Sequence, residues 1–403
     1  MVRSLPSKTT LPPTILPERE MIRIRGGKIG MVFQDPLTSR DPLMRVGDQV
    51  VETIMAHKDV TREEAEEEAK PEEVEEAPPE VPARAPSVRE LWRMGVGSWA
   101  QSALVHAVNS SGTVFVTCFD LSYNPVWIVG KGASDFWTLL VSGSTVSAAR
   151  LNTPAWGYQF PGIVSAAVGL DESVFVYMAS SGLLVNFLHG VERWKAPIAN
   201  LAGIGASLMD VAQNESGLSC LSFMADRVKL VAMVGPSPSW AVALSPEEMP
   251  GPVKVGGDGT VYMAAGTQSG ASKVLAFRGG SLLWSHQVGD MVMKMAPAPS
   301  GELYVVTTSG VLRLGPGGVR EVEAPPQPSG VLVGSDGILY LADFGGGLRA
   351  VRGGRVLWEA TLPAPVTEMA QAPDGSIFAV LDQTFAEGDR WFGLASIRPG
   401  TSP

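Results

Sequence analysis

Two cysteines in 403 residues, Cys118 and Cys220, cannot build a disulfide scaffold. They read as two small hydrophobes for a core, with pairing between them as the alternative. The four histidines (His57, His106, His189, His286) are dispersed, without the spacing of a metal site. Gly-x-Ser-x-Gly does not occur, so the hydrolase elbow has no support. Uninterrupted apolar runs are too short for a spanning helix. No apolar run of signal-peptide length follows the first residues, so the expected location is the cytoplasm. Charged residues make up only 18% of the chain and the net charge is −10, which argues against a nucleic-acid partner, because phosphate binding needs a basic face.

Glycine (45) and proline (31) are abundant. A helical protein tolerates neither well, whereas an all-β protein with many tight turns requires them. Their distribution divides the chain into three zones. Residues 1–69 form a short N-terminal fragment, mixed and α/β-like in composition up to about residue 61. From Thr61 the chain turns acidic, with glutamates running from Glu63 to Glu76 against Arg62 and Lys70, and then rich in proline (Pro71, Pro78, Pro79, Pro82, Pro86). A segment of this kind cannot bury a core, and its prolines stop any helix begun at Thr61. Residues 70–88 are therefore expected to be a solvated linker.

Residues 89–403 repeat. A turn pair followed by alternating β-formers appears at Ser111-Gly112-Thr113-Val114-Phe115-Val116 and, without the glycine, at Asp171-Glu172-Ser173-Val174-Phe175. It returns at Glu215-Ser216-Gly217-Leu218, Asp258-Gly259-Thr260-Val261-Tyr262, Ser300-Gly301-Glu302-Leu303-Tyr304, Asp336-Gly337-Ile338-Leu339-Tyr340 and Asp374-Gly375-Ser376-Ile377-Phe378. A period of about 40 residues with several strands per unit is the mark of propeller blades. Within one unit the strands are expected at Pro252–Val255, Thr260–Ala264, Lys273–Phe277 and Leu282–Trp284, with Gly-Asp-Gly and Gly-Gly supplying hairpin turns. A second marker, Arg278-Gly279-Gly280-Ser281-Leu282-Leu283-Trp284, is echoed two units later at Arg352-Gly353-Gly354-Arg355-Val356-Leu357-Trp358, and more weakly at Gly190 to Trp194. The reading is an all-β propeller of about seven four-stranded blades, with eight or six as alternatives. The long first interval implies either an insertion near Asp135 to Ser147 or a degenerate extra blade. The C-terminal strand Trp391–Ile397 is expected to close the ring beside Val88–Met94 or Ala100–Val108.

The order of Gly turn, Val-Tyr strand, Gly-Gly turn and Leu-Trp strand resembles the pyrroloquinoline-quinone-like (PQQ-like) propeller repeat, with a WD-like blade plan. That resemblance implies fold, with Trp194, Trp284 and Trp358 packed between neighbouring sheets. Members of the family include quinoprotein dehydrogenases and non-enzymatic scaffolds. The enzymes carry adjacent cysteines and a calcium-binding set of carboxylates and amides. No two cysteines are adjacent here, and Asp336 and Asp374 are explained by their turns, leaving Asp343 as the other candidate.

Met21 to Ser39, with Gly26-Gly27-Lys28-Ile29-Gly30-Met31-Val32-Phe33-Gln34-Asp35-Pro36 at its centre, resembles the Q-loop region of ABC ATPases that power oligopeptide and dipeptide import. The likeness runs on through Asp41-Pro42-Leu43-Met44-Arg45-Val46-Gly47-Asp48-Gln49-Val50 to Glu52-Thr53-Ile54. It implies that Gln34 is the glutamine that touches metal and attacking water. The phosphate-cradling loop G-x-x-x-x-G-K-[ST] is absent from this sequence, as are the Leu-Ser-Gly-Gly-Gln signature and a strand ending in Asp-Glu. Hydrolysis by these residues alone is not expected.

Three functions compete. A non-catalytic scaffold would meet a protein, peptide or sugar on one loop face and need no cofactor. A quinone-dependent or lactonase-like enzyme would gather Asp, Glu, Asn or His at the channel mouth, with PQQ as the cofactor in the first case. An accessory of ABC peptide-transporter components would carry a degenerate ATP-binding fragment.

Overall fold

The computed structural model describes residues 51–52, 54–55, 60–68, 86–95, 102–119, 125–132, 135–142, 144–150, 153–267, 270–383 and 390–399. The chain divides into two units, Met1–Val81 and Pro82–Pro403. In the first, Thr61 opens the helix Arg62–Glu68 with a capping box. The Glu64 amide donates to Thr61 Oγ1 at 3.3 Å, and the Thr61 amide donates to Glu64 Oε2 at 2.8 Å. Gln34 and the rest of the Q-loop-like segment lie outside the described residues.

The second unit is a seven-bladed β-propeller. Each blade is an antiparallel sheet whose strands run from an inner edge at the central channel to an outer edge. The inner strands of blades 1 to 7 are Ser102–Val108, Val164–Val168, Ser207–Gln213, Val253–Val255, Val292–Pro297, Pro328–Val333 and Val366–Gln371. Second strands are sandwiched between neighbouring blades and read as continuous apolar runs: every residue of Val174–Met178 is buried. Outer strands have one wet face, and Ser281–Val288 exposes most of its length while burying Trp284 and Val288.

Six sheets have four strands and the first has six. Its last strand, Thr153–Gln159, sets Trp156 opposite Ala148 beside a register shift. Trp194, Trp240, Trp284 and Trp358 occupy the same place in blades 2, 3, 4 and 6, each facing the third strand beside a shift. Thr145–Arg150 and Thr153–Gln159 are therefore the usual third and outer strands. The two additional ones are Pro125–Gly132 and Asp135–Ser142, and the long first interval in the repeat is this inserted hairpin.

Closure uses both ends of the unit. Ser87–Gly95 pairs with Trp391–Arg398, Ser87 opposite Arg398 and Gly95 opposite Trp391, as the outer strand of blade 7. Arg93 lies over the Trp391 ring at 3.7 Å from its centroid and reinforces this seam.

Turns between inner and second strands place one residue at positive φ. In six blades it is glycine (Gly112, Gly217, Gly259, Gly301, Gly337, Gly375; φ 77–84°), and in blade 2 it is Glu172 at φ 66°. Turns between third and outer strands do the same with Gly235, Gly279 and Gly353 at φ 56–57°, and with His189 at φ 50° in blade 2. A side chain in this backbone region costs roughly 1 kcal/mol or more. Cys220 is a buried free thiol.

Candidate functional site

Strand direction alternates across each blade, so connections from an outer strand to the next inner strand emerge on the same face as those joining second to third strands. Call this the connection face; the opposite, turn face carries the tight turns just described. The connection face is apolar at its rim. Ile163, Ile204, Met249 and Met291 lie in or beside the connections into blades 2 to 5, and Phe344 follows the second strand of blade 6. Met209 lies near the start of the inner strand of blade 3. These six side chains are 49–73% exposed. Single exposed apolar residues need no explanation; here six large ones lie on one face over five consecutive blades.

Glu248 holds part of this rim in place. It is buried, receives Lys273 Nζ at 2.9 Å on Oε1, and accepts the Ser245 amide at 2.9 Å on Oε2. Met249 next to it pairs with Gly266 in an isolated bridge. The loop therefore presents Met249 from a fixed backbone.

Inside the channel the inner strands carry charge. Five of them have a register irregularity, skipping His106, Met209, Met293, Ser329 and Thr367. A bulge re-aims the residue that follows. In blades 3, 5 and 7 that residue is Asp210, Lys294 and Glu368, and Lys254 comes from blade 4. Lys294 and Glu368 form an ion pair across the ring. Burial pushes the Asp210 carboxyl up to about 6, against the pull of Lys254 and of the Val211 and Val253 amides. Burial likewise holds His106 down at about 4, with Glu368 opposing and Lys294 and Lys254 assisting. The His106 ring stacks on Trp127 at 4.8 Å, and its Nε2 has no protein partner; neither has Thr367 Oγ1. A hollow of about 150 Å³ runs along His106, Phe115, Trp127, Val211, Gln213 and Lys254.

The channel thus gathers a histidine and two carboxylates, as the enzyme reading asked, but interleaves them with two lysines. Glu368 is neutralised by Lys294, and Asp210 is opposed by Lys254. Such a lining can hold polar or charged groups of an inserted segment. The calcium candidates have other employment. Asp336 Oδ1 accepts the Ile338 amide, Asp374 Oδ1 accepts the Ser376 amide and hydroxyl, and Asp343 Oδ1 accepts the Gly345 and Gly347 amides. Among the described residues no three His, Cys, Asp or Glu side chains converge as a metal shell requires. Of the histidines, His286 Nε2 is 2.8 Å from the Gly315 carbonyl in the outer wall, and His57 lies outside the described residues. Sequence reasoning missed Asp210, Lys254, Lys294 and Glu368. Their signal is weak: a polar residue a few positions before each turn becomes meaningful only once the bulges align the blades.

No family model matches the chain. Among curated proteins, a short N-terminal part is 52% identical over 54 residues to the oligopeptide transport ATP-binding protein OppD of Salmonella typhimurium, covering 13% of this chain and 16% of that one. It is 46% identical over 54 residues to OppD of Bacillus subtilis, covering 13% and 15%. The chain thus spans about a sixth of the length of the curated relatives it matches. Among solved structures, the Dos1 propeller aligns with 78% of this chain and 96% of its own at a TM-score of 0.50 and 9% identity, a likeness of fold alone.

Proposed function

We propose that this protein is a non-catalytic binding scaffold that engages a protein or peptide segment through the connection face of its propeller. The observation that carries the reading is the set of exposed apolar side chains Ile163, Ile204, Met209, Met249, Met291 and Phe344 on one face of blades 2 to 6, with charged residues on the inner strands. Methionine suits such a surface, because its flexible, polarisable side chain repacks against different partners. The repeat's likeness to the PQQ-like family is compatible with this role, since that family includes scaffolds. The test is a peptide-display selection against the full chain, followed by affinity measurement of the selected peptides. Ile204→Glu with Met291→Glu is expected to weaken them at least tenfold. Leu282→Glu with Val356→Glu, on exposed outer strands, leaves affinity unchanged. Equal loss from both pairs, or from neither, refutes the assignment of the face.

The 54-residue likeness to OppD favours a second reading, in which the N-terminal segment ties the propeller to peptide-import machinery, with Gln34 at the Q-loop position. A thermal shift with Mg-ATP tests its nucleotide-binding half; an unchanged melting curve excludes it.

A further inference from the structure

The hairpin inserted in blade 1 widens its sheet and leaves a hollow of about 360 Å³ against blade 2. That volume sits at the lower end of small-molecule sites. Trp137, Ala148 and Trp156 share one face of the blade 1 sheet, Ala148 being directly opposite Trp156 in register. From blade 2 come Val174, Glu172 and His189. A second hollow of about 160 Å³ shares Trp137, Glu172 and His189 and continues to Lys131. Glu172 and His189 belong to turn-face turns, so this cleft opens away from the apolar rim.

Four features make it more than a packing gap. Glu172 and His189 are two of the three non-glycine residues at positive φ among the described residues, and each stands where other blades use glycine. Strained side chains held in one place are a mark of function. Both point into the same hollow. Glu172 Oε1 accepts the Thr113 hydroxyl at 3.0 Å, which orients the carboxylate and leaves it further acceptor capacity. The Trp137 indole N–H is buried and finds no protein acceptor. Finally, the outer wall is clamped: Trp156 stacks on Phe187 at 6.0 Å and Tyr158 donates to the Gly190 carbonyl at 3.2 Å.

We infer that the cleft between blades 1 and 2 binds a small zwitterion with an apolar body, the chemistry of a free apolar α-amino acid. The apolar side chain fits between Trp137, Trp156, Ala148 and Val174. The ammonium meets the Glu172 carboxylate and the indole faces. The carboxylate meets Lys131, with His189 beside it as a further donor in the suitable tautomer.

Isothermal titration of the full chain with L-phenylalanine tests this. Saturable binding is expected, weakened about tenfold or more by Glu172→Gln and by Lys131→Met. 2-Phenylethylamine, which lacks the carboxylate, and 3-phenylpropionate, which lacks the ammonium, should each bind at least tenfold more weakly. Glu172→Gly, which restores the turn residue of the other six blades, must lose binding with the melting temperature held or raised. No saturable binding at millimolar L-phenylalanine, or binding indifferent to Glu172→Gln, overturns the site. An amine that binds as well as the amino acid overturns the zwitterion assignment.

Discussion

His106 and Asp210 face the same channel yet respond to acid in opposite directions. An unfolded chain takes up the His106 proton near 6.5, while the folded protein refuses it until about 4, so this residue's contribution to stability is lost as pH falls through that window. Asp210 ionises near 3.8 when unfolded and near 6 when folded. Its ionisation therefore costs stability as pH rises from about 4 to 6, and the full cost persists above. Asp210→Asn keeps an acceptor for the Val211 amide and removes the charge. It is expected to raise stability above pH 6 by about 1–3 kcal/mol, the gain vanishing below pH 4. Melting temperatures of both proteins across pH 3.5–8 check this; a constant difference contradicts it.

At the scale of one element, the connection from blade 3 to blade 4 shows how a loop becomes part of a rigid face. Its order rests on Glu248, held between Lys273 and the Ser245 amide. Lys273→Met leaves a buried carboxylate without its counter-charge, at an expected cost of about 2–4 kcal/mol. Glu248→Gln combined with Lys273→Met should recover more than half of that, because no charge is then stranded. Urea unfolding of the single and double variants measures the coupling. Additive losses would mean that the two side chains act independently. Elsewhere neighbouring blades are stapled by turn amides: Asn109 Nδ2 donates to the Leu170 carbonyl and Asn214 Nδ2 to the Gly256 carbonyl, each in the next blade.

For the whole molecule, closure decides stability. Trp391–Arg398 lies between Ile377–Asp382 and Ser87–Gly95, so its removal also strips the partner of the first strand. Deleting residues 389–403 is expected to abolish cooperative melting. Deleting 1–81, all outside the propeller unit, is expected to leave its melting temperature unchanged. Circular dichroism melts of the two truncations distinguish these outcomes, and a cooperative, unshifted melt of the C-terminal truncation contradicts the closure argument.

The blades were legible because their causes are local. Asp-Gly and Gly-Gly turns set hairpin geometry, and alternating Val, Tyr, Leu and Trp set strands, so the four strands around Asp258 to Trp284 fall within a few residues of where sequence puts them. The need to leave no open edge put Trp391–Ile397 beside either Val88–Met94 or Ala100–Val108, and the structure selects the first. Trp156 and Trp240 were less visible because no Gly-Gly pair precedes them in their hairpins. Glu172 was apparent in sequence only as a missing glycine, and its meaning required the neighbouring blade's inserted hairpin to form a wall opposite it. The apolar rim and the charged channel are likewise tertiary. Their residues come from separate blades, and only ring closure brings side chains so distant in sequence onto one face or one axis.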